Sequence, residues 1–190
     1  MHTQHWERIV RGLGLGCAIA GVARMGMTPT SMIWGFNSVP ELACGLAACM
    51  LMAFFSFGLY FAQSRETGVL GGITIGAIML GNLLTACVLW GYLVYGGFGD
   101  ENHALNNASG MVSSAGVLGG TLALAILTWR AKVFPRAAVF GLLGMLASMA
   151  LPWTEWFAFF WGLSYVIMGY CMWSGKLAKR PASPSAGISA

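Results

Sequence analysis

Few side chains in this 190-residue chain carry groups suited to chemistry, and the most conspicuous is Arg24. It closes a stripe, Gly12, Gly16, Ala20 and Arg24, whose four-residue spacing puts all four on one face of a helix. A guanidinium on such a face has two outlets. It either turns into a helix bundle and pairs with a carboxylate, Glu41 or Glu155, or it runs along its own helix to reach lipid headgroups. Asn82 is the second polar residue set deep in an apolar run, with Thr74 and Thr85 on the same segment. Amides and hydroxyls there act as helix glue, contributing ~0.6–2 kcal/mol each, or they ligate a substrate or ion.

Several reaction classes find no equipment in the sequence. His2, His5 and His103 all lie outside the apolar runs, so no pair of helix-borne histidines is placed to hold a haem. The runs contain no Lys for a Schiff base and no His–Glu set for a zinc protease, and no general base sits beside a serine. Asp100, Glu101 and His103 read as a solvated acidic loop. Met25, Met27 and Met32 are soft enough for Cu(I), but methionines in an apolar chain are chiefly adaptable packing residues. Cys17, Cys44, Cys49, Cys87 and Cys171 all fall in apolar segments, with no CxxC, and read as small packing residues. The chain is therefore expected not to be an enzyme. No cofactor is indicated, and contact with lipid or pigment stays open.

The elements that must position these residues announce themselves by composition. Only 8% of residues are charged and 57% are hydrophobic, which leaves too little polar surface for a soluble domain. Thr67 to Gly99 holds no Asp, Glu, Lys or Arg, longer than the ~20 residues that cross a bilayer. The apolar runs predict an all-α, polytopic membrane bundle: six transmembrane helices over 9–27, 41–63, 68–95, 111–129, 134–151 and 156–173. They form one domain, 1–180, followed by a tail, 181–190, whose Pro, Ser, Gly and Ala have nothing to bury. The start of the first run has the look of a signal peptide, but Gly14-Leu15-Gly16-Cys17 lacks the aliphatic residue of a lipobox, and the run reads as a helix. Segments 28–40 and 96–110 read as loops, and 64–67 as a tight hairpin. Gly68, Gly72 and Gly76, like Gly12 and Gly16, are expected to admit a neighbouring helix.

Six spans sort the charges. With both termini cytoplasmic, Arg8, Arg11, Arg65, Arg130, Lys132, Arg136, Lys176, Lys179 and Arg180 lie inside, leaving only Arg24 of the ten basic residues towards the outside. Glu41, Asp100, Glu101 and Glu155 fall outside. The net charge of +4 thus speaks to topology and anionic lipid, not to nucleic acid.

Trp34, Val39-Pro40, Gly58-Leu59-Tyr60, Gln63, Arg65-Glu66, Gly68 and Leu70-Gly71, with Arg130 and Val133-Phe134-Pro135-Arg136 further on, carry a resemblance. From Trp34 to Lys176 the chain resembles six-span bacterial integral membrane proteins to which no activity is assigned. It departs from them at Glu41, where a small residue, an aromatic or His follows the proline. The resemblance implies architecture and a multi-pass place in the bacterial inner membrane, and no reaction. The expected function is that of a non-catalytic accessory or scaffolding subunit, touching the lipid bilayer and other membrane-protein subunits or further copies of itself. The alternative is a small transporter or channel for a neutral or apolar solute.

Overall fold

The computed structural model describes residues 2–96 and 103–177, and every regular element in that range is helical. The proposed tail, Asp100 and Glu101 lie outside the described residues. Helix α1 (His2–Met25) runs almost directly into α2 (Met27–Trp34), because Gly26 keeps helical dihedrals and its N–H bonds the Val22 carbonyl at 3.1 Å. The segment expected as a loop from 28 is therefore helical to Trp34. Pro29 does not break it, since in a first turn its missing N–H has no intrahelical partner to lose.

Helical stretch α3 (Val39–Tyr95) is two helices joined end to end. Gly68 adopts φ 55°, ψ −143°, a conformation open in practice to glycine alone, and divides α3 into limbs 39–67 and 69–95. A Cβ built on Gly45 would stand 3.1 Å from the Leu89 side chain, and one on Gly72 would stand 3.6 Å from the Tyr60 ring. An unbroken helix would separate residues 45 and 89 by ~66 Å. The limbs thus lie antiparallel. The hairpin expected at 64–67 turns at the next residue, and Gly68 serves as its turn instead of a packing position.

Helix α4 (His103–Ser114), a π-helical turn (Ala115–Gly119) and α5 (Gly120–Ala131) make one rod antiparallel to the second limb. Gly116 lies against Ala77, and Gly120 against Ile78 and Thr74. This rod starts at His103, inside the segment expected as a loop to Gly110, because a helix can extend its polar first turns beyond an apolar layer. Lys132 ends α5 with φ 53°, and Pro135, extended, starts α6 (Arg136–Ala150). Phe134, expected in that helix, is instead buried from the connection together with Val133. A single 3₁₀ turn (Thr154–Trp156) leads into α7 (Phe157–Trp173).

The core is assembled from Trp161, Tyr165 and Met168 on α7, Cys17 and Ala20 on α1, Met52 and Leu59 on the first limb, and Leu142 on α6. The outer wall is apolar too, with Val22, Phe54, Val69, Ile73 and Phe140 all exposed. Four helical stretches are long and apolar enough to cross a membrane: Glu7–Trp34, Val39–Tyr95, Asn107–Ala131 and Thr154–Trp173. Such a surface belongs in lipid, and the chain is built as a membrane protein. At one end of the bundle, the terminal end, the start of α1 meets the Gly68 turn and the end of α7. Arg24, Glu41 and Glu155 mark the far end.

Candidate functional site

The site begins with a backbone contact. Gly14 faces Gly169 and Gly21 faces Gly162, a seven-residue spacing on both helices that carries α1 and α7 past each other antiparallel. A Cβ on Gly169 would stand 2.5 Å from the Gly14 carbonyl oxygen, and one on Gly21 would stand 2.8 Å from the Val166 nitrogen. Only helices without side chains at these points approach so closely.

That approach brings the α7 rings onto Arg24. Its guanidinium carbon lies 4.5 Å from the Trp161 ring centroid and 5.2 Å from that of Phe157. Nη1 donates to the Cys49 Sγ at 3.2 Å, and the residue is 4% exposed. The expected carboxylate pairing does not form. Glu41 is buried, but its carboxylate turns back to accept the Asn37 N–H at 2.6 Å, so Arg24 acts on it only through space. Glu155 is exposed, and it is its backbone carbonyl that accepts a hydrogen bond, from Thr28 Oγ1 at 3.0 Å. The cation is held by ring faces, an attraction of ~2 kcal/mol when desolvated, and by a thiol. Two buried donors, Arg24 Nε and Trp161 Nε1, have no acceptor among the described residues.

Away from Arg24, a polar seam continues along the same three helices. Ser56 Oγ donates to the Met52 carbonyl at 2.5 Å and shares a 2.8 Å hydrogen bond with the Tyr165 hydroxyl. The Cys17 thiol donates to the Phe55 carbonyl at 2.9 Å. Tyr165 meets Trp161 edge to face, 6.4 Å between centroids. These contacts fasten α1, the first limb and α7 to one another. Chemically, what stays open is hydrogen-bond donation beside a buried positive charge.

Asn82 belongs to a separate group. Its Nδ2 donates to the Ile78 carbonyl at 2.9 Å, while the buried Oδ1 has no donor among the described residues. Beside the π-helical turn, the Gly81 carbonyl accepts from Thr85 at 2.8 Å and from Ser113 at 3.1 Å, joining the second limb to α4. The candidate thioethers do not converge: Met25 packs on Gly162, Met27 on Gly45, and Met32 is exposed.

The expected glycine stripes are redistributed. Gly16 lies against the Phe55 ring, but Gly12 and Gly76 face open space, and Gly72 has ordinary contact with Tyr60. Four-residue spacing shows which glycines share a stripe, not whether a helix covers it. Trp161, Tyr165 and Ser56 carry no local signal of their place in the site, and Cys49, expected as a packing residue, also accepts from Arg24. The readable signal was the seven-residue glycine pair on both the first and the last helix. Comparison with protein-family models, curated proteins and solved structures finds nothing that matches this chain.

Proposed function

We propose that the chain is a non-catalytic integral membrane protein of the bacterial inner membrane, an accessory or scaffolding subunit. In this reading the polypeptide crosses six times, through α1, the two limbs of α3, the α4–α5 rod, α6 and α7, with both termini cytoplasmic. The limbs, 39–67 and 69–95, are each ~40 Å long, enough for a ~30 Å hydrocarbon core, and α6 at ~22 Å is the short member. The distribution of basic residues gives the orientation, and the resemblance to six-span bacterial proteins points the same way.

The observation that carries the reading is how most of the buried hydroxyls and amides are spent, Thr121 Oγ1 and Asn82 Oδ1 being left without a partner among the described residues. Ser56, Thr67, Asn82, Ser113, Ser148 and Ser164 all bond to helix carbonyls. They hold helices together or cap turns of their own helix instead of lining a path. Function then lies on the outer wall, where Trp90, Tyr95, Phe140 and Trp173 are exposed to lipid or to another subunit. Purification from native membrane in mild detergent tests this: a stoichiometric partner, or a defined homo-oligomer, is expected. A monodisperse lone chain that moves a neutral or apolar solute across liposomes would overturn it in favour of transport.

A further inference from the structure

A cleft of about 550 Å³ opens at the terminal end, between α1, the end of the first limb and the end of α7. How α7 stops shapes it. The Gly175 N–H bonds the Met172 carbonyl at 3.3 Å and the Lys176 N–H bonds the Cys171 carbonyl at 2.9 Å, with Gly175 left-handed at φ 68°. This paired capping turn folds the chain back so that Leu177 reaches the cleft wall. With no side chain at Gly175, the Arg11 guanidinium fits beside it; a Cβ there would stand 3.4 Å from Nη2.

The lining divides by chemistry. Arg11 and Arg65 supply two exposed guanidiniums, and neither forms a hydrogen bond or ion pair with a described residue. Among the described lining residues Glu7 is the one acid, so that these side chains carry a formal excess of one positive charge. Val10, Phe61 and Met172 supply an apolar wall. A neighbouring cleft of about 310 Å³, lined by Lys132, Arg136 and Trp129, differs in that Arg136 already lies over the Trp129 ring at 5.1 Å.

We propose that the larger cleft seats an anionic phospholipid, its phosphate held by Arg11 and Arg65 and an acyl chain laid along Phe61, Val10 and Met172. Charge selects the headgroup: two guanidiniums against one carboxylate favour a ligand of net negative charge over a zwitterion. The apolar wall selects a lipid over a free phosphate. The site rests on the proposed topology in one respect, that the terminal end meets a leaflet surface, where nearby basic residues favour anionic lipid.

Native mass spectrometry of the full chain, titrated with phosphatidylglycerol, phosphatidylethanolamine or phosphatidylcholine, tests the assignment. Phosphatidylglycerol is expected to bind roughly twenty-fold more tightly than phosphatidylcholine, a preference lost in Arg11→Gln/Arg65→Gln and kept in Arg11→Lys/Arg65→Lys. Arg8→Gln/Arg130→Gln, removing two exposed charges outside the cleft, is expected to leave the preference intact. Glycerol phosphate at equal concentration is expected not to displace the lipid. Equal binding of phosphatidylethanolamine and phosphatidylglycerol, an equal loss in the Arg8/Arg130 variant, or displacement by glycerol phosphate would each overturn the proposal. Alkaline carbonate washing separates the two readings: a chain released from membranes defeats the membrane assignment, whereas an embedded chain without the preference defeats only the lipid site.

Discussion

The α1–α7 crossing and the crossing of the 69–95 limb with the α4–α5 rod both bring helices together through glycine. In the first, Gly14 and Gly21 meet Gly169 and Gly162; in the second, Gly81 meets Ser113 and Val117, and Gly116 and Gly120 meet Ala77 and Ile78. They differ in what the close approach is used for. Around the π-helical turn it lets neutral hydroxyls, Ser113 and Thr85, reach one carbonyl, that of Gly81. At the α1–α7 crossing it lets two aromatic rings enclose a guanidinium whose Nε finds no acceptor among the described residues. One crossing is an ordinary joint. The other keeps a charged donor inside the bundle, which hydrocarbon surroundings make costly.

Substitution at the tight crossing should have the largest effect. Gly162→Leu is expected to cost about 3 kcal/mol or more, read as a fall in the detergent unfolding midpoint, since the Gly21 backbone cannot yield to a side chain. A shift no greater than that of an exposed substitution would show that the helices are not in backbone contact. The Arg24–Trp161 pair comes next. A double-mutant cycle of Arg24→Met and Trp161→Leu should return a coupling of about 2 kcal/mol. Arg24→Met alone should change stability by less than about 1 kcal/mol, because it also removes an incompletely paired buried charge. Zero coupling would mean that the rings do not hold the cation.

The neutral joint should respond less. Thr85→Ala is expected to cost about 0.6–1.7 kcal/mol in the same unfolding assay, and a cost matching that of Gly162→Leu would erase the distinction between the crossings. Gly76→Leu should be smallest, within about 0.5 kcal/mol, because its position faces open space.

That the chain is helical, and the order in which its apolar segments follow one another, was legible because apolar runs and their polar interruptions reflect the solvent each residue meets. Arg65 and Glu66 marked a reversal between two runs, and the turn indeed falls at Gly68. Length was less legible: α2 and the first turns of α4 carry polar or proline residues that a helix tolerates near its ends. Partners were least legible. Nothing local to Arg24 tells that the ring of Trp161, far along the chain, will cover it, or that Glu41 will instead turn to the Asn37 N–H. Such choices are set by helix crossings, and crossings are long-range.

In the proposed topology the chain crosses the membrane through six helical segments, with the Gly68 turn and the end of α7 on one side and the segments before α3 and α7 on the other. Single cysteines placed at Ser64, Ser174, Ser38 and Thr154, with the five native cysteines replaced by alanine, can be exposed to a membrane-impermeant thiol reagent in vesicles of either orientation. Positions 64 and 174 are expected to label together from one side, and positions 38 and 154 together from the opposite side. Labelling of 38 and 64 from the same side would show that the first limb of α3 does not cross, and would contradict it.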